Sequence, residues 1–331
     1  MVNPFLSIRA LTQSREDLLT EFFAGALTID EGLRRRYAAF VLGPLKKDAN
    51  ARDLSISSIA TQVQFPGTAC IPDMVLTLSD GRRIIVEHKI DAAETMGYVD
   101  KSEDEELRAQ LIRYLDLDVD GVVYVRANWK PPDREVREHV KYIKPEHREH
   151  FLWQDFYDML AVSENPYTRW IAEGFLHLGY VPPLPFIGDL TVEENRRNFA
   201  KLWQPAASRA HEMGWKVEFG SICELYLTGD GSGPVLELWF RPSQTMLVRL
   251  TPSPGCDTLT LIDRLRLAFT ASDTQVEVES STVLRVKGRA EVIELRTSLN
   301  LLLQGADTPD EMSSCLLNLV VSVITSLADR Q

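Results

Sequence analysis

The chain has 331 residues, 44% hydrophobic and 25% charged, enough to bury sizeable cores and to form two domains rather than one. Its formal net charge of -12 excludes a general attraction to phosphates, so any nucleic-acid contact must come from local basic patches, an oligomer or a partner. Four cysteines (Cys70, Cys223, Cys256 and Cys315) without C-x-x-C spacing suggest neither a zinc ribbon nor a disulfide framework. With no basic-then-apolar leader and no apolar run of bilayer length, a cytoplasmic protein without a membrane partner is expected.

In chain order, Ser14 can cap a helix from about Arg15 to Leu27, with Leu18, Phe22, Phe23 and Ala26 as its apolar stripe. "EGLRRRYAAFVL" continues as a second helix, and "SISSIATQVQF" reads as a strand. Two further strands lie in "IPDMVLTLSDGRRIIVEHKI", residues 71–90, folded about Ser-Asp-Gly. "EDEELRAQLIRYLDL" is expected to be helical, "GVVYVRA" to be a short buried strand, and the tract from Pro131 to His177 to be helical. The proline-rich "YVPPLPFIGDL" marks a boundary between domains 1–182 and 183–331.

The hairpin at 71–90 carries the chemistry. If Ser79, Asp80 and Gly81 form a three-residue connection with glycine in the left-handed region, facing residues have numbers summing to 160, and Asp73 lies opposite Glu87. The two-residue period then brings Lys89 to the same face. A two-residue Asp80-Gly81 turn would instead send Glu87 to the other face, because a one-residue slip inverts every side chain. Two carboxylates and an ammonium in one place suit Mg2+ or Mn2+, which keeps waters and takes phosphate oxygens into its coordination sphere.

Pro72-Asp73, the thirteen-residue gap and Glu87-His88-Lys89 resemble the motif of the PD-(D/E)XK nuclease superfamily. The resemblance covers the first 160 to 180 residues. It implies an α/β, restriction-endonuclease-like core (helix, three strands, helix, strand) and a Mg2+- or Mn2+-dependent nuclease, DNA preferred, in prokaryotic defence or DNA processing. It also implies that Asp73 and Glu87 hold the metal and Lys89 acts on the attacking water. Gln110 in "AQLIRYL" and Glu21 on the first helix match further site positions of the family. Arg34, Arg35, Arg36, Lys46-Lys47, the Lys130 to Lys144 region and Arg113 are candidate phosphate contacts, each weighed against an ordinary solvated charge. The acidic "ETMGYVDKSEDEEL" would repel a phosphate backbone beside the site, and is read as a gate or, more simply, as a solvated loop. The weighed alternatives to a DNase are a catalytically silent interaction module and an RNase.

Other chemistries find less support. His147 and His150 lack H-E-x-x-H order, and there is no Walker, G-x-G-x-x-G or G-x-S-x-G motif. The second half reads as an α+β regulatory, partner-binding or dimerisation domain. "DLTVEENRRNFAKLWQPAASRAHEMG" is expected to be one long helix, and "WKVEFGSICELYL", "PVLELWFRP" and "TMLVRLTP" to be strands. "DTLTLIDRLRLAF" is expected to be a helix, "TQVEVES" and "TVLRVKG" a hairpin, and an apolar last helix starts at Pro309.

Overall fold

A computed structural model describes residues 3–11, 15–43, 54–90, 96–97, 108–146, 148–186, 188–220, 224–230, 233–240, 245–271, 276–285 and 288–328. Ser14, Lys46, Lys47, Leu107, His147 and Cys223, and all but Met96 and Gly97 of the acidic 94–107 stretch, lie outside the described residues. The chain divides into two compact units, Met1–Pro182 and Pro183–Gln331, the division falling in the proline-rich segment.

In the first unit, helices α1 (Pro4–Leu11), α2 (Arg15–Ile29) and α3 (Glu31–Val41) precede strands β1 (Ile56–Thr61), β2 (Met74–Leu78) and β3 (Arg83–Lys89). Asp30 separates α2 from α3 and caps the latter, its side chain accepting from the Leu33 amide. A two-strand ribbon, β4 (Met96–Gly97) and β5 (Arg108–Ala109), leads into α4 (Gln110–Leu115) and the parallel strand β6 (Gly121–Arg126). The expected helix over 103–117 is therefore shorter, because Arg108 and Ala109 pair as a strand.

The tract from Pro131 to His177 is likewise not uniformly helical. It holds α5 (Arg134–Glu138), β7 (Tyr142–Ile143), β8 (Phe151–Leu152), a 3-10 turn (Trp153–Phe156), α6 (Tyr157–Ala161) and α7 (Pro166–Leu178). Both short strands pair with β6, and two-residue strands are too short to show a periodicity. The sheet order is β1-β2-β3-β6-β7, with β8 also on β6; β1, β2 and β3 run antiparallel, and β3 to β6 is a parallel step crossed by α4.

This sheet has two buried faces. Met74, Leu76, Ile84 and Val86 join a core with residues of α1, α2, α3, α6 and α7. Val75, Ile85, Val122 and Tyr124 point the other way, into a core with Leu111, Tyr114 and Leu115 of α4. Every residue of β6 is buried, the pattern of a central parallel strand.

The second unit holds a six-stranded sheet ordered β13-β14-β12-β11-β10-β9, antiparallel throughout. Its elements are α8 (Glu193–Leu202), α9 (Gln204–Glu212), β9 (Lys216–Phe219), β10 (Glu224–Thr228), β11 (Val235–Phe240), β12 (Thr245–Thr251), α10 (Thr258–Ala271), β13 (Glu277–Arg285), β14 (Gly288–Ser298), α11 (Leu299–Leu302) and α12 (Pro309–Ala328). Two expectations are corrected. The single long helix is two, broken at Trp203, because Pro205 cannot donate to the preceding turn and instead occupies the first turn of α9. The two segments expected to form a hairpin, "TQVEVES" and "TVLRVKG", belong mostly to one continuous strand, β13, which pairs with β14; "ESST", residues 279–282 across their junction, holds no glycine or proline to turn the chain. The apolar last helix expected from Pro309 is α12, and over Pro309–Leu327 it is the one described helix long and apolar enough to span a bilayer by length and composition, which corrects the expectation of no apolar run of that length. It packs against α8, α9 and α10 through residues such as Leu316, Val320 and Val323.

Candidate active site

The hairpin adopts the three-residue connection. Gly81 has φ +89°, the Leu78 amide donates to the Arg82 carbonyl at 2.8 Å, and the Gly81 amide donates to the Leu78 carbonyl at 3.0 Å. Met74 pairs with Val86, Val75 with Ile85 and Leu76 with Ile84, the register in which numbers sum to 160. Asp73 stands one step before β2, and its carboxylate replaces a ladder carbonyl: Oδ2 accepts the His88 amide at 2.8 Å. Asp73, Glu87 and Lys89 thus share the face of the sheet that carries α4.

All three are nearly closed to solvent, at 6%, 1% and 5% exposure. Lys89 Nζ lies 2.7 Å from Glu87 Oε1 and 2.8 Å from Glu16 Oε1, and the other Glu16 oxygen accepts the Ile90 amide at 3.1 Å. Glu16, with its side chain 20% exposed, is the most open of the acids. Burial above all, then the neighbouring Asp73 charge, pushes the Glu87 carboxyl up to about 8 against the pull of Lys89. Burial also raises Asp73 to about 6, although the His88 amide and the Lys89 charge oppose it. Burial by itself would lower the Lys89 ammonium, but the Glu87 charge and hydrogen bonds to Glu16 and Glu87 outweigh it, so Lys89 is raised and stays charged.

Several of the expected residues lie elsewhere. Glu21 is exposed on α2, turned towards Tyr167, whose hydroxyl it helps to raise after burial. The buried stripe of α2 is Leu19, Thr20, Phe23 and Leu27, and its continuation by four residues towards the N-terminus is Glu16, not Glu21. Gln110 is half-buried beside the cluster: its Nε2 donates to the Tyr114 hydroxyl at 2.9 Å, which donates to the Ile71 carbonyl at 3.1 Å, while Gln110 Oε1 is buried without a partner. Burial, then the charge of Glu87, raises the Tyr114 hydroxyl.

Arg113 is 6% exposed and interacts with Cys70, so it is not a surface phosphate contact. On α3, Arg34 donates to the Thr28 carbonyl at 3.2 Å and Arg36 to the Met159 carbonyl at 3.0 Å, tying neighbouring helices together; Arg35 alone is exposed, 3.9 Å from Glu31. His88, on the opposite face, accepts or donates to Thr20 Oγ1 at 2.8 Å and packs on Trp153 at 4.5 Å between rings. Burial, then Lys89, lowers its imidazole to about 3, so it is a neutral packing residue.

Three residues near the cluster were not read from sequence. Glu16 clamps Lys89. Gln62, just past β1, donates Nε2 to Asp73 Oδ1 at 3.3 Å. Arg126 is the register neighbour of Lys89 on β6 and donates to the Tyr124 hydroxyl at 2.6 Å.

Among the described residues no group of three or more His, Cys, Asp or Glu side chains is arranged to hold a metal ion. The donor set that remains is a pair, Asp73 and Glu87, since Glu16 is engaged by Lys89 and Ile90. A pair of hard oxygen donors completed by waters is sufficient for Mg2+ or Mn2+, and the Glu87 carboxylate, buried with only the Lys89 ammonium and the Asp73 main-chain amide as donors beside it among the described residues, is a group that a cation would satisfy. Comparisons with protein-family models, with curated proteins and with solved structures find no match to this chain.

Proposed function

We propose that the first unit is a restriction-endonuclease-like, Mg2+- or Mn2+-dependent nuclease that hydrolyses phosphodiester bonds, preferentially of DNA, in prokaryotic defence or DNA processing. The second unit, 183–331, is assigned regulation, partner binding or dimerisation. The carrying observation is a charge count: three carboxylates, Asp73, Glu87 and Glu16, gather around one ammonium, Lys89. Fully ionised, the cluster holds an excess of two negative charges in a place where unbalanced charge costs several kcal/mol. A divalent cation offsets both.

Asp73 and Glu87 would hold that ion, which when bound supplies Lewis acidity towards a phosphate oxygen and acidifies a coordinated water. Lys89, kept as an ammonium by its two acids, donates hydrogen bonds to the attacking water or to phosphate oxygens gaining charge, and does not serve as a base. Glu16 fixes where that ammonium sits. Gln110, whose Oε1 is buried without a hydrogen-bond partner, would orient a water beside the acids.

The 1% exposure of Glu87 favours a second reading, a silent module in which Lys89 and its acids are a structural ion-pair cluster. Incubation of the protein with DNA and with RNA, in Mg2+ and in EDTA, separates the two. Cleavage in Mg2+ that falls by about 10²-fold or more in Lys89→Met supports hydrolysis. Cleavage of RNA alone makes the protein an RNase, and intact nucleic acid throughout leaves the structural cluster.

A further inference from the structure

Gln62 is the one described residue other than glycine with a positive φ, +51°. Left-handed backbone is disfavoured for a glutamine by its Cβ, so something holds it there. The register between β1 and β2 pairs Thr61 with Met74, and the next pair would be Gln62 with Asp73. The Gln62 amide does donate to the Asp73 carbonyl, at 3.2 Å, so the main-chain pairing continues by one residue while the strand itself ends. The left-handed turn at that point is accompanied by the side chain reaching the same partner, Nε2 to Asp73 Oδ1 at 3.3 Å.

We propose that Gln62 is a positioning residue that fixes the orientation of the Asp73 carboxylate for a divalent cation; the inference rests on the cation reading of the Asp73 and Glu87 pair. Asp73 is then held by one donor on each oxygen, the His88 main-chain amide on Oδ2 and the Gln62 carboxamide on Oδ1. The two donors pin the plane of the carboxylate without adding charge, and each oxygen keeps a lone pair for the ion. A neutral carboxamide suits this task better than a lysine or arginine, which would compete with the cation for the carboxylate. The strained backbone is the cost of bringing it there.

The experiment is calorimetric titration of the full chain with Mn2+, for the wild type, Gln62→Gly and Gln62→Asn. Glycine accepts the left-handed conformation freely and removes the donor; asparagine tolerates that conformation and stops one methylene short of Asp73. Both variants are expected to keep or raise the thermal midpoint in EDTA, because the strain is relieved. Their Mn2+ affinity is expected to drop about tenfold, the equivalent of one charge-assisted hydrogen bond. A residue that only ends a strand would not move the affinity. Wild-type affinity in both variants overturns the role of Gln62 and leaves the cation site standing, whereas no Mn2+ binding by the wild type overturns the cation site and this inference with it.

Discussion

Replacing Glu87 by glutamine tests whether the buried acid is there to stabilise the fold or to wait for a cation. The carboxyl is held at about 8 in the folded protein against an ordinary 4.5. A raised acid favours the fold below its unfolded pKa, and that contribution is lost as pH climbs from 4.5 through 8. Each pKa unit is worth about 1.4 kcal/mol, so ionising Glu87 costs the cation-free fold up to about 5 kcal/mol above pH 8. Glutamine fills the same space without the charge, and Lys89 keeps Glu16 at 2.8 Å. Allowing for the lost contact to Lys89, Glu87→Gln is expected to gain about 1 to 3 kcal/mol at pH 8.5 in EDTA and to differ little from wild type at pH 5. Urea unfolding at the two pH values reads this directly. A loss of more than about 1 kcal/mol at pH 8.5 would make Glu87 the structural partner of Lys89 and refute the reasoning.

Lys89→Met leaves three acids without their ammonium, and in EDTA at pH 8 it is expected to lose about 3 to 5 kcal/mol, recovering as Asp73 and Glu87 protonate towards pH 5; thermal melts across that range would show whether the loss is instead flat with pH. Glu16→Gln is expected to cut cleavage at least about tenfold by freeing the lysine, and Glu21→Gln to leave it unchanged, which a single activity comparison decides. Gly81→Ala meets no atom within 4 Å of the added Cβ, so its cost is the backbone alone, about 1 to 2 kcal/mol, measured by urea unfolding; no loss would argue against the left-handed turn that sets the register.

The register was legible because a turn leaves a chemical signature. Ser-Asp-Gly allowed two connections, and the three-residue one with Gly81 left-handed, which the structure adopts, fixes the faces of Asp73, Glu87 and Lys89 together. The acid from α2 was harder to read. Of the expected stripe Leu18, Phe22, Phe23 and Ala26, Phe23 and Ala26 are fully buried, but Leu19, Thr20 and Leu27 complete the inward face ahead of the half-buried Leu18 and Phe22, a rotation set by packing against β3 that brings Glu16 to the cluster and leaves Glu21 in solvent. Gln62 gave no signal, since a left-handed glutamine follows from where the pairing of β1 with β2 stops and from the Asp73 carboxylate it meets across that pairing, which no local sequence pattern records. In the second unit, Pro205 marks the helix break in plain view, while β13 ran through a polar "ESST" whose lack of turn residues outweighs its polarity.

The most direct test is diffraction from crystals soaked in Mn2+, collected at the manganese absorption edge. An anomalous peak is expected within about 2.0 to 2.3 Å of oxygens of both Asp73 and Glu87, with Lys89 still paired to Glu16. A difference map with no peak there, and Glu87 still against Lys89 at saturating Mn2+, would contradict the cation site.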